Sequence, residues 1–294
     1  MIKPDAVQPR YTSDNLLSLQ TFILEEEQRY PGATGEFSWI LSAISLAAKT
    51  IAHKVRHARI EDVLGDHAGD DCNPHGEIQQ KLDVIANEVI MRCLGSRENI
   101  AVLASEEDQT PIILRDRDSG GRYCVLFDPL DGSSNLNFGV GVGTIFSILR
   151  NDRRNKNVPR DENERRAVTD VPHHLQPGTR QVAAGYVLYG SSVIFTLTTG
   201  NGVSMFVLDQ SIGAFVLVER DIRIPGGTRT YSVNEAYVNA FPEGYRSYLD
   251  WAHDNDYSSR YIGSMVADIH RTLLQGGVFL YPPTRSHPDG KLRL

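Results

Sequence analysis

Residues 127–135 read Phe127-Asp128-Pro129-Leu130-Asp131-Gly132-Ser133-Ser134-Asn135, and the fold of the chain is decided there. The stretch closes an apolar run over 123–127 and sets two carboxylates, Asp128 and Asp131, three residues apart. Pro129 fixes the backbone between them, so both acids are expected to converge on one point. Gly132, Ser133 and Ser134 come next, and a corner of small residues presents backbone N–H groups that suit a phosphate oxygen. An acid pair beside such a nest points to a divalent cation bridging protein and phosphate. Taken by itself, the same Asp-Gly-Ser-Ser run is also an ordinary β-turn.

A second apolar run, 101–104, ends in Ser105-Glu106-Glu107-Asp108. Two strands that both deliver carboxylates at their C-terminal ends predict an α/β arrangement with a site at one sheet edge. Glu106, Glu107, Asp128 and Asp131 are the core of that candidate site. Mg²⁺ takes hard oxygen ligands and keeps waters and substrate phosphate in its shell. Two or three such ions activate water, polarise phosphorus and neutralise the leaving oxygen. Upstream, Asp83 precedes a helical apolar face, and Glu77 lies in the Gly-, Asp- and Asn-rich segment 64–78, a mobile loop by composition. On these residues alone, Asp83 reads as an exposed helix start placed favourably on the dipole.

The rest of the chain is consistent with that reading. Leu16, Leu19 and Ile23 recur at helical spacing, with Glu25, Glu26 and Glu27 ending the segment. Phe37, Ile40, Ile44, Ala47, Ala48, Ile51 and Val55 share one helical face, as do Leu82, Ile85, Val89, Ile90 and Cys93. Thr34 or Ser38 is the expected cap of the second helix, with Glu36 near its positive end. A strand is expected over 144–149, then a meander of strands at 182–189, 193–197, 203–208 and 214–218, broken by Gly and Asn turns. The charged stretch 151–180 has no periodicity and reads as a surface loop or disordered insertion. A helix over 265–274 and a strand over 278–281 close the chain, and 1–13 reads as a flexible tail.

With 294 residues, 40% hydrophobic and 23% charged, the composition is that of a water-soluble protein able to bury a large core. A formal net charge of −7 argues against a general nucleic-acid binder. Three cysteines, Cys72, Cys93 and Cys124, have neither disulfide-framework nor zinc-site spacing. No apolar run approaches the ~18 residues of a bilayer span. The reading is of a soluble, cytoplasmic protein.

Several motifs together resemble class I fructose-1,6-bisphosphatase. They are Lys81-Leu-Asp-Val with Asn87, Ser105-Glu-Glu-Asp, the 127–135 stretch, Val142-Gly-Thr-Ile-Phe, Val182-Ala-Ala-Gly-Tyr, Gly263-Ser-Met-Val-Ala-Asp-Ile-His-Arg-Thr-Leu and Gly290-Lys-Leu-Arg-Leu. The resemblance implies a layered α/β sugar-phosphatase fold, with mixed sheets sandwiched by helices. It divides the chain into an N-terminal unit over 14–205 and an incomplete C-terminal sugar-phosphate unit over 206–294. It implies Mg²⁺-dependent hydrolysis of fructose 1,6-bisphosphate, with two to three ions per subunit and Mn²⁺ or Zn²⁺ as alternatives.

By the same resemblance, Glu106, Asp128, Asp131 and the Leu130 carbonyl bind the metals. Asp83 and Glu107 orient and deprotonate the attacking water, and Glu77 closes over the third ion. The 1-phosphate rests on Gly132, Ser133 and Ser134. Asn234, Tyr237, Tyr261 and Tyr281 cup the 6-phosphate, Arg260 reaches it from a neighbouring subunit, and Met265 and Lys291 meet the sugar. An allosteric AMP site is implied at Thr34, Gly35, Glu36 and Ser38, with Arg122, Tyr123 and Arg150, in a homotetramer. Arg122 stands where a lysine is expected. Family members continue past the position of Leu294 to a further metal-binding glutamate, a strand and a helix. The rival readings are a sedoheptulose-1,7-bisphosphatase, a general phosphomonoesterase of the inositol type, and a chain that binds ligand or partner subunits without turnover.

Overall fold

The structure is a computed structural model that describes residues 17–28, 35–67, 73, 79–115, 120–151, 176–284 and 288. Three helices come first: α1 (Leu19–Gln28), α2 (Glu36–His57) and α3 (Lys81–Gly95). The acidic run Glu25, Glu26 and Glu27 does not end α1, which continues through it to Gln28. In α2, Ile40, Leu41, Ile44, Ala47, Ala48, Ile51 and Ala52 are buried, a stripe at three- and four-residue spacing. Each large side chain of the stripe contributes about 1.5–3 kcal/mol by leaving water. Lys54, Arg56 and His57 lie in the last turn, at the negative end of the helix dipole.

Eight strands follow: β1 (Ile100–Ser105), β2 (Ile112–Ile113), β3 (Tyr123–Asp131), β4 (Val142–Arg150), β5 (Gln181–Tyr189), β6 (Val193–Thr198), β7 (Val203–Asp209) and β8 (Ala214–Glu219). They form one sheet in the order β2-β1-β3-β4-β5-β6-β7-β8. β1 and β3 are parallel, and every other pair is antiparallel. β5 to β8 are the expected meander. The 205/206 boundary read from the sequence falls inside β7, and the sheet runs on to Glu219. The reason is the sheet's own hydrogen bonding: β8 pairs with β7 from Ala214 to Glu219 and has no reason to leave it.

α2 packs on α3, and α3 lies against β1 and β3. α1 covers the β8 end, where Leu217 N donates to Leu17 O at 2.9 Å and Phe22 meets the Phe206 ring edge-on at 5.2 Å.

The remaining elements build a smaller layer. β9 (Thr230–Ser232), α4 (Glu243–Asp254), β10 (Ser258–Ser259), α5 (Met265–Gln275) and β11 (Val278–Phe279) supply a three-stranded parallel sheet in the order β10-β9-β11. Its own core is Tyr231, Val233, Phe241, Leu249 and Ala252. The strand expected over 278–281 pairs only at Val278 and Phe279. α5 packs back on β4 and β5 of the large sheet. That contact is close: a Cβ on Gly143 of β4 would stand 2.6 Å from Val266 Cγ1. Among the described residues, no helix is long and apolar enough to cross a membrane.

Candidate active site

The parallel pair β1/β3 sets the site. Its register matches Ser105 to Phe127, so the next residues on the two strands, Glu106 and Asp128, emerge side by side. Glu106 N donates to Phe127 O at 3.0 Å and ties the turn after β1 to the neighbouring strand. Between β3 and β4 the register shifts, from Asp128 opposite Ile145 to Asp131 opposite Gly143. Pro129 occupies this bulge, where the missing N–H costs the ladder nothing. Thr144 Oγ1 donates to the Pro129 carbonyl at 2.8 Å, and Leu130 N donates to Asp128 Oδ1 at 3.0 Å. Gly132 takes a left-handed φ of 76°, and a Cβ there would stand 2.8 Å from Ser264 Cβ. Only glycine permits both the turn and the approach.

Glu106, Asp128 and Asp131 are all buried, at 3–4% exposure. Asn73 Nδ2 lies 3.4 Å from both Glu106 oxygens. Gln79 Nε2 donates to Glu107 Oε2 at 2.7 Å. Burial, with the adjacent Glu106 charge adding to it, pushes the Glu107 carboxyl up to about 7, against the pull of the Gln79 bond. Asp83 is not the exposed helix start that its sequence context suggests. It is buried, because α3 packs on the sheet, and its Oδ2 accepts from Gln80 N at 2.8 Å in a capping box.

The donor set suits a hard divalent cation. It offers buried carboxylates on adjacent strand ends, where burial first and the Glu106 charge second disfavour ionisation of Glu107. Among the described residues, no group of three acidic, histidine or cysteine side chains is already drawn together to hold an ion. Glu77 lies outside the described residues, as do Lys291 and Thr34.

Asp131 has a second set of partners. Its Oδ2 accepts from Ser264 Oγ and Val266 N, both at 2.9 Å, and so caps the N-terminus of α5. Asn135 Nδ2 donates to Gly263 O at 3.1 Å alongside. These bonds join the motif to the small layer across a cleft of about 410 Å³. Asp131, Gly132, Ser133 and Ser134 line one side of the cleft, and Tyr261, Met265, Asp268, Phe279 and Tyr281 line the other. Asn234 Oδ1 accepts from Ala236 N at 3.2 Å at the start of the 235–240 turn, and Tyr237 is exposed. Burial raises the Tyr261 phenol, and the Asp268 charge raises it further. Arg260 is exposed and donates through Nη1 to Ser259 O at 2.7 Å.

Family models match nearly all of the described chain. "Fructose-1-6-bisphosphatase, N-terminal domain" matches residues 17–220, and "Fructose-1-6-bisphosphatase, C-terminal domain" matches 224–294. The chain belongs to the fructose-1,6-bisphosphatase family. It is 45% identical over 285 residues to the class 1 fructose-1,6-bisphosphatase of Chlorobium luteolum, covering 95% of this chain and 82% of the relative. The crystal structure of Leishmania major fructose-1,6-bisphosphatase in holo form superposes with a TM-score of 0.82 at 38% identity, covering 95% and 82% of the two chains. The T-state of the same enzyme gives 0.78 at 36% identity, covering 95% and 81%. Members of this family are metal-dependent sugar-bisphosphate phosphatases, phosphoric monoester hydrolases of carbohydrate metabolism.

The site expected at the start of α2 lies apart from the cleft. Gly35, in a left-handed conformation at φ 73°, is the N-cap, and no side chain caps the helix. Ser38 lies within the first turn, past the position from which a hydroxyl caps, so the capping expected of it does not occur. Glu36 pairs with Arg122 at 3.1 Å, and its carbonyl accepts from Asn99 Nδ2. Tyr123 is buried, with the Arg150 guanidinium 6.0 Å from its ring centre.

Sequence reasoning gave no role to Gln79, Ser264 or Asp268. Ser264 and Asp268 stand in the quoted Gly263–Leu273 motif, yet their partners are 133 and 36 residues away in the chain. Only Gln79, four residues before Asp83, lay near enough to a predicted site residue to be noticed.

Proposed function

We propose that this fructose-1,6-bisphosphatase hydrolyses the 1-phosphate of fructose 1,6-bisphosphate, giving fructose 6-phosphate and phosphate, with Mg²⁺ as the metal. The observation that carries this reading is the two-walled cleft. It has a carboxylate and small-residue corner at one side and tyrosine hydroxyls, with Asp268 also in the lining, at the other, which suits a sugar with a phosphate at each end. Glu106, Asp128, Asp131 and the Leu130 carbonyl would hold the metal. When bound, the ion supplies Lewis-acid polarisation of the phosphoryl oxygens and acidifies water. Gly132, Ser133 and Ser134 seat the 1-phosphate. Asn234, Tyr237, Tyr261 and Tyr281 hydrogen-bond the 6-phosphate, with Arg260 of a neighbouring copy beside it, and Met265 and Lys291 contact the sugar.

Glu107, aligned by Gln79, takes a proton from water as the water oxygen bonds to phosphorus. Asp83 orients that water from the α3 terminus, and Glu77 belongs to the same group. The P–O bond to C1 breaks, and the leaving sugar alkoxide takes up a proton.

We further infer AMP control through the α2 terminus, using Thr34, Gly35, Glu36, Ser38, Arg122, Tyr123 and Arg150, in a cytoplasmic homotetramer. The close approach of Arg122 to that terminus supports the reading. The chain is read as two units that meet just after β8.

Phosphate release by the purified chain tests the reaction. It is expected with fructose 1,6-bisphosphate and Mg²⁺, and is lost on chelation. Clear preference for sedoheptulose 1,7-bisphosphate overturns the substrate, and unchanged affinity without the 6-phosphate overturns the tyrosine cup.

A further inference from the structure

Asp268 stands in the first turn of α5 and is 1% exposed. Its Oδ1 accepts from Ser232 Oγ at 2.6 Å and from Ile262 N at 3.0 Å, while its Oδ2 accepts from Gly263 N at 3.0 Å. These donors come from two segments outside α5, and each segment carries part of the cleft wall. Ser232 ends β9, two residues before Asn234. Ile262 and Gly263 directly follow Arg260 and Tyr261. Met265 opens the helix that holds the carboxylate. The same 261–264 turn is fastened to the phosphate corner by Ser264 Oγ on Asp131 and by Asn135 on the Gly263 carbonyl.

A buried carboxylate is costly unless its lone pairs are met. An acidic residue serving the α5 dipole alone would do as well on the solvent side of the first turn. Here the charge is buried and bonded to three donors from two segments, continuing inward the contact that the β9/β10 pairing and the Arg260 N–Tyr231 O bond make between them. Such a fully satisfied network fixes geometry. Asp268 also lines the cleft, where its negative charge disfavours direct contact with a phosphate.

We propose that Asp268 is the positioning residue of the sugar-phosphate wall. It locks β9, the 261–264 turn and α5 so that Tyr261 and Asn234 sit at a fixed distance from the Gly132–Ser134 corner. The enzyme's preference for a substrate with a second phosphate depends on that lock. The inference rests on assigning Tyr261 and Asn234 to the 6-phosphate.

Asp268→Asn keeps the volume but turns one acceptor oxygen into an NH₂ facing a donor, which releases one side of the clamp. Ser232→Ala removes a single donor. Both variants, with Tyr261→Phe as reference, are assayed for kcat and KM on fructose 1,6-bisphosphate and on fructose 1-phosphate. Asp268→Asn is expected to raise KM for the bisphosphate about tenfold, with kcat within about threefold. The ratio of kcat/KM for the bisphosphate over the monophosphate falls by about tenfold. Ser232→Ala shifts both quantities in the same direction by about threefold. Equal losses on both substrates overturn the proposal, since they mark a merely structural residue. Unchanged KM in Asp268→Asn while Tyr261→Phe raises it also overturns it. If Tyr261→Phe leaves KM unchanged, the 6-phosphate assignment fails and the lock has no substrate to select. Should Asp268→Asn not fold, Ser232→Ala decides, and an unmoved KM there overturns the inference.

Discussion

At Glu107 two opposing influences meet: burial beside Glu106 resists ionisation, while the Gln79 amide favours the charged form. Removing the carboxylate's basicity without changing its shape separates chemistry from packing. Glu107→Gln is expected to lower kcat by about 10²–10⁴-fold with little change in KM, as steady-state phosphate release would show. The acidic motifs were readable because each follows an apolar strand and their chemistry is unusual. Asp83 was legible only in part. Its place before an apolar helical face predicts the helix start, but its burial comes from the packing of α3 on β1 and β3, which no local pattern carries. Asp268 was less legible still, because its Ser232 partner lies 36 residues away.

Among the elements, α5 joins the two layers, and its seating depends on a flush contact and on a polar fastener. Gly143 leaves space for Val266, so Gly143→Ala is expected to destabilise the fold by about 1–3 kcal/mol and to raise KM, read by denaturant titration and kinetics. On the helix's other bond, Tyr186 Oη and His270 Nδ1 lie 2.9 Å apart. Burial lowers the His270 pKa from 6.5. A lowered histidine stabilises fully above its unfolded value, and that contribution is lost as pH falls through the folded one. Melting temperature should therefore drop on acidification from pH 7 to below 6, and drop less in His270→Gln. The long apolar stripes of α2 and α3 and the alternating meander β5 to β8 were evident from periodicity. Of the three short parallel strands, β11 lies within the strand expected over 278–281, while β9 and β10 were not evident, since two or three residues cannot establish a period. α4 was hidden because it buries little beyond Leu249 and Ala252.

The molecule as a whole is two layers held across one cleft, so a ligand that touches both walls should tighten the whole fold. Fructose 6-phosphate at about 100 times its Kd is expected to add about 2.7 kcal/mol of stability, while fructose at the same concentration adds far less. Calorimetric melting with each compound checks this, and equal shifts would argue against the tyrosine cup.

The joint between the layers has a consequence for inheritance. Asp131 serves the proposed reaction, and the same side chain caps the helix that docks the small layer. Two selections act on one codon. A descendant of this chain that abandoned turnover would still be held to an aspartate there. Retention of Asp131 in such a lineage would be a record of architecture, and would say nothing about whether its chemistry survives.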